Sequence, residues 1–127
     1  MKTIASMKCS ETMIGGVMLL APSGRIDLSN ADMFGDLLTL ALSKAGTAVV
    51  LDFSGVDYIS SAGLRSLMIA FKAAKAEGKA FAIAALQPLV QEIFAISRFN
   101  LVFSVSDSVQ EAIRTHAPEA IVLFTVN

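Results

Sequence analysis

The sequence predicts an α/β fold: one domain on a mostly parallel mixed β-sheet with about four α-helices. Three observations carry this expectation. Apolar residues recur at helical spacing in separate segments. Between those segments lie short apolar runs rich in β-branched residues. Glycine, proline and serine stand at the boundaries between the two patterns. The 127 residues suffice for one ordinary domain, and 54% of them are hydrophobic, so a sizeable core is available. Residues 1–127 are read as a single domain, with a core of about 13–117 and an apolar tail over 118–127.

Met7 to Ile14 and Val17 to Ser23 read as two strands joined at Gly15-Gly16. Ser29 is expected to cap the first helix, with Asp32 near its positive end. Met33, Phe34, Leu37, Leu38 and Ala41 form that helix's apolar stripe, and Gly46 stops it after Ala45. Ala48 to Phe53 is apolar without alternation, as in a strand covered on both faces. Ser54 to Ile59 is read as a loop. The second helix carries Leu64, Leu67, Met68 and Phe71 inward and Arg65, Lys72 and Lys75 outward, and Gly78 ends it. A strand over Ala80 to Ala84 follows. Pro88 suits the first position of a third helix, whose stripe is Leu89, Val90, Ile93 and Phe94. Phe103 to Val105 is a short strand. Ser108 and Glu111 then make a capping box before a last helix bearing Val109, Ala112 and Ile113. Strands and helices in alternation argue for a largely parallel sheet.

Composition excludes several functions. A net charge of −1 with no basic cluster argues against direct nucleic-acid binding. The single cysteine, Cys9, has no internal disulfide partner and no metal-ligand set around it, which fits a reducing, cytoplasmic setting. The apolar run Met13 to Ala21 follows Lys2 and Lys8 in the manner of an export signal. It is about half the length of a bilayer span, Glu11 interrupts the charged region, and Gly15-Gly16 breaks it as a hairpin would. No P-loop or dinucleotide fingerprint is present, and no cofactor or metal is expected. Asp52 and Asp57 read as a strand end and a turn rather than a carboxylate pair. No serine–histidine or cysteine–histidine constellation is visible, and His116, the only histidine, is expected to suit the negative end of the last helix.

The stretch Asp57-Tyr58-Ile59-Ser60-Ser61-Ala62-Gly63-Leu64-Arg65-Ser66 is the candidate site. Paired hydroxyls meet two very small residues where a helix begins. One serine can cap the helix, and a helix start also tolerates a phosphate, because its N–H groups are free and its end is partly positive. Ala62 and Gly63 add no bulk against an approaching partner. Plain capping is the simpler reading of either serine alone.

The chain resembles a STAS domain, and within that family the anti-sigma factor antagonists. The resemblance runs from about Gly16 to His116. It rests on Ser23-Gly24-Arg25-Ile26-Asp27, on Val49 through Leu64, on Leu86-Gln87-Pro88-Leu89-Val90 and on Ile93-Phe94-Ala95-Ile96-Ser97. It implies a switchable binding module, not an enzyme, with no catalytic residues of its own. A partner anti-sigma factor, a serine kinase with a histidine-kinase-like ATPase fold, would phosphorylate the serine before the second helix, and a serine phosphatase would reset it. By that resemblance the acceptor is Ser61, and Asp27 is the acidic residue of the Gly-x-x-Asp loop beside it. Ser60, Ala62, Gly63 and Arg65 complete the expected partner face. The family's usual aspartate before the acceptor is Ser60 here, which makes Ser60 the alternative acceptor. It also leaves open a second reading, a non-phosphorylated STAS subunit of a transporter or signalling complex.

The tail Ala120 to Asn127 is apolar and lies beyond the resemblance. An extra strand or extended segment docked on the domain is one expectation. Self-association through an exposed strand is the other.

Overall fold

The computed structural model describes residues 2–4 and 7–126. The chain opens with β1 (Lys2–Ile4), β2 (Met7–Ile14) and β3 (Val17–Ile26), then α1 (Ala31–Lys44). β4 (Ala48–Asp52), β5 (Gly55–Ile59), α2 (Ser61–Ala76), β6 (Ala80–Ala84) and α3 (Pro88–Ile96) follow. A 3-10 turn at Phe99–Leu101 leads to β7 (Ser104–Ser106) and α4 (Val109–His116), and a second at Pro118–Ala120 leads to α5 (Ile121–Val126). The sheet runs β1-β2-β3-β4-β6-β7, with β5 also paired to β3. β1, β2 and β3 pair antiparallel, and every other pairing is parallel. The mostly parallel α/β class is as expected.

The central strands are covered on both faces. Val49 and Leu51 of β4 and Phe81 and Ile83 of β6 pack under α1, α2 and α3. Their neighbours Ala48, Val50, Ala82 and Ala84 face α4, with Ala112, Ile113 and Ala117. This is why β4 and β6 read as unbroken apolar runs. Large side chains fill one face, while alanines let α4 lie close on the other.

The segment expected to be a loop, Ser54 to Ile59, is mostly strand. β3 is 10 residues long and β4 only 5, so β4 covers β3 from Val17 to Leu20 and stops. β5 then pairs with the rest, from Ser23 to Ile26. Pro22, which has no N–H to give, lies in the interval between the two ladders. Gly55 is required where β5 joins, because a Cβ there would stand 2.7 Å from that of Ser23. Asp57 is therefore a strand residue, not a turn residue.

Other corrections are local. The cap position of α1 is Asn30, not Ser29. Met33 lies outside the apolar stripe of α1 at 52% exposure, and Leu89 is similarly exposed on α3. Leu67 is fully buried, whereas Met68 and Phe71 are half-buried. Phe71 packs edge-on to Phe81 and Phe103, at ring separations of 6.5 and 5.3 Å. Phe103 is a core residue just before β7 rather than its first residue. The tail docks on its own chain, but as a turn and a short fifth helix and not as a strand. Ala120 is buried, and Ile121 and Phe124 pack against the cluster under α4.

Candidate functional site

β3 and β5 end side by side, with Ile26 in register with Ile59. The N–H of Ser60 donates to the carbonyl of Ile26 at 2.9 Å, so the two chains leave the sheet together. One continues through residues 27–30 into α1, the other directly into α2. The expected site residues Asp27, Ser60 and Ser61 are thereby brought to one sheet edge, where parallel sheets present their ligand and partner sites.

The two serines have different tasks. Ser60 takes an extended backbone at the cap of α2, and its hydroxyl accepts a hydrogen bond from the N–H of Gly63 at 3.2 Å. Its carbonyl accepts the first helical bond, from Leu64. Ser61 is the first residue of α2 and is exposed. Its hydroxyl has no hydrogen bond among the described residues. With the N–H of Gly63 satisfied, those of Ser61 and Ala62 remain the open donors of the first turn. α2 has no acidic residue in that turn.

Gly63 is buried and points the other way from its expected place on a partner face. A Cβ there would lie 2.7 Å from Cγ1 of Ile59 and 2.8 Å from Cγ2 of Ile26. Its small size lets α2 sit down on the ends of β3 and β5. Ala62 is half-exposed, Arg65 is exposed, and both stay on the accessible side. Deeper along α2, the hydroxyl of Ser66 donates to the carbonyl of Ala31 at 2.9 Å and ties α2 to the start of α1.

The 27–30 loop is closed by its own side chains. Asn30 is 1% exposed, accepts from the N–H of Asp27 and donates to the carbonyl of Arg25. Asp27 accepts from the hydroxyl and the N–H of Ser29 through one oxygen, and from Arg25 at 3.0 Å through the other. The Ser29 hydroxyl, then its N–H, and then Arg25 hold the Asp27 carboxyl below its usual range, against an opposing effect of desolvation. The Arg25 guanidinium also lies 4.0 Å from the centre of the Tyr58 ring. Sequence reasoning named Asp27 but missed Asn30, Arg25 and Tyr58 as its supports. The signal available was a turn-forming Asp-Leu-Ser-Asn run, with Arg25 inside the motif already singled out. At the tip of this loop Leu28 is 84% exposed.

His116 differs from expectation. At the end of α4 its Nε2 lies 2.8 Å from the hydroxyl of Ser104, a serine–histidine contact that the sequence did not reveal. Partial burial pushes its pKa below the ordinary histidine value, so the neutral ring is favoured over a cation at the helix end. The pair opens on a shallow pocket of about 250 Å³ beside Phe71, Lys75 and Phe81, toward the far end of α2 from Ser61. No acidic side chain lines it. Among the described residues no group of three or more His, Cys, Asp or Glu is placed to hold a metal ion, and no helix is long and apolar enough to cross a membrane.

Comparison with known proteins places this geometry in a family. The chain is 33% identical over 106 residues to BtrV of Bordetella bronchiseptica, named by inference as an anti-sigma factor antagonist; the match covers 84% of this chain and 91% of that one. A crystal structure of an anti-sigma factor antagonist from Mycobacterium paratuberculosis superposes with a TM-score of 0.79 at 21% identity, covering 87% of this chain and 94% of that one. The Bacillus cell fate determinant SpoIIAA in its phosphorylated form shares the fold at a TM-score of 0.65 and 14% identity, over 85% of this chain and 98% of that one. The family model described as the STAS domain matches residues 11–112, so the chain belongs to the STAS domain family.

Proposed function

We propose that this STAS domain is an anti-sigma factor antagonist, a binding module that is switched by phosphorylation of Ser61. Its partner is an anti-sigma factor that is also a serine kinase with a histidine-kinase-like ATPase fold. The unmodified face at Asp27, Ser60, Ser61, Ala62 and Arg65 binds that partner and releases its sigma factor. Gly63 contributes from beneath, by seating α2. The kinase transfers the γ-phosphoryl group of ATP to the Ser61 oxygen, the hydroxyl proton passes to a base of the kinase, and ADP departs. A serine phosphatase restores the hydroxyl by hydrolysis. The domain itself is a switch rather than an enzyme, and its site of action is the cytoplasm.

The observation that carries this reading is the division between the two hydroxyls. Ser60 is held as a cap, while Ser61 stands exposed beside open N–H donors. The 33% identical relative and a fold neighbour that carries phosphate add support. Phosphate at a helix start is compensated by those donors and by the helix dipole, so the domain should keep its structure. A partner must instead desolvate a charge of about −1.5 to −2, and binding is lost there.

Incubation with the cognate kinase and ATP, followed by mass spectrometry, tests the assignment. Wild type and Ser60→Ala should each gain one phosphate, and Ser61→Ala none. Phosphate mapped to Ser60 would move the acceptor by one position. No modification by the true partner would favour the non-phosphorylated subunit of a transporter or signalling complex.

A further inference from the structure

Among the described residues, Arg65 is the cation of the face that makes no ion pair or hydrogen bond. Among the described residues the ion pairs are Arg25–Asp27, Lys44–Glu11, Lys79–Glu77 and Arg114–Glu111. Arg25 is further engaged by the Tyr58 ring. Arg65 is exposed and outside all of these contacts. It stands one helical turn after Ser61, and residues four apart share a helix face with Cβ atoms about 5–6 Å apart. The Cα–Cβ bonds of a helix tilt toward its N-terminus, which directs a side chain at position 65 toward the first turn. An anion four residues before a cation is also the more favourable order of the two.

We infer that Arg65 clamps the phosphate of Ser61 within the same helix, an inference that rests on Ser61 being the phosphoacceptor. Phosphorylation then alters the face twice. It adds a dianion, and it withdraws the uncommitted guanidinium that the unmodified face presents to a partner. A guanidinium suits this task because its N–H groups can meet two phosphate oxygens at once. The other charged groups around the junction do not compete for the role. Asp27, Asp32 and Asp57 repel phosphate, and Arg25 is held by Asp27 and Tyr58. Lys72 lies two turns further along α2.

The test uses the full chain with phosphoserine introduced genetically at position 61, so that no kinase is needed. Phosphorus NMR then follows the second ionisation of the phosphate against pH. An isolated phosphoserine has a second pKa near 6. A guanidinium clamp should lower it by about 0.2–0.4 relative to Arg65→Gln. Arg65→Lys should restore part of that difference, and Arg25→Gln should leave it in place. Equal values for wild type and Arg65→Gln would overturn the clamp. So would a shift that disappears in Arg25→Gln instead, since Arg25 would then have left Asp27 for the phosphate. Kinase treatment of the unmodified chain is a separate readout, and failure there defeats the assignment of Ser61 without touching the clamp measurement.

Discussion

α1 and α2 leave the same edge of the sheet from neighbouring strands, yet their first turns are built in opposite ways. The loop into α1 is closed, although no side chain caps the helix itself. Asn30 is buried and bonded on both sides, Asp27 is held by Ser29 and Arg25, and Asp32 supplies negative charge to the first turn. The start of α2 is open. Its cap is a neutral serine, its first residue presents a bare hydroxyl, and it has no acid in the first turn. A helix N-terminus favours negative charge. α1 carries that charge permanently in Asp32, whereas α2 has none of its own, and under the proposed function a phosphate on Ser61 would supply it. The closed start serves as scaffold, and the open start is where a reversible charge has the greatest effect.

Substitutions at the two starts should separate these roles. Gly63→Leu should have the largest effect, about 3 kcal/mol of lost stability, because the new side chain runs into Ile59 and Ile26. A denaturant melt close to wild type would mean that α2 does not sit on the strand ends as described. This variant reports on the seat of the helix and is unsuited to testing a partner face. Asn30→Ala comes next, at about 2 kcal/mol, since it leaves the Asp27 N–H and the Arg25 carbonyl without their buried partner. Ser60→Ala should remove about 1 kcal/mol as a lost cap. Ser61→Ala should stay within about 0.5 kcal/mol of wild type. Equal losses at the two serines would erase the distinction between cap and switch.

The smallest effects are those of pH. The Asp27 pKa is lowered in the folded state, so its contribution is present above its unfolded value of 3.8 and is lost as pH falls through the folded value. Asp27→Asn should flatten that acid limb of the stability profile. His116 is also lowered, but as a base. The unfolded chain takes up its proton first, so stability falls as pH drops below about 6.5, and His116→Asn should remove that part of the slope. Melts recorded from pH 7.5 to 3 read both limbs, and an unchanged slope in either variant would contradict the corresponding assignment.

Much of this fold was legible because its elements depend on patterns within single segments. β6 and the Pro88 start of α3 lie where periodicity and proline chemistry put them, and the Ser108 hydroxyl caps α4 by accepting from the N–H of Glu111, although the Glu111 carboxylate turns to Arg114 and leaves the expected capping box half made. β5 was not legible. Its Gly-Val-Asp-Tyr-Ile run resembles a turn, and it becomes a strand only because β3 outlasts β4. The Ser104–His116 contact depends on tertiary placement in the same way. At the site, the motif named Asp27, Ser60 and Ser61, which the register of β3 with β5 brings to one sheet edge. Which serine caps and which is open depends on where the first helical bond falls, and that follows from the register of Ile26 with Ile59. The inward direction of Gly63 follows from the same register.

In the proposed function Ser61 stands in the partner contact, and charge there ends binding without unfolding the domain. Calorimetric titration of Ser61→Asp with the partner kinase, beside a circular dichroism melt of the same sample, tests this directly. Affinity should fall at least about tenfold, equivalent to about 1.4 kcal/mol, with a melting curve that overlays wild type. Wild-type affinity would contradict the placement of Ser61 in the contact, and weak binding accompanied by unfolding would contradict a switch that works by charge alone.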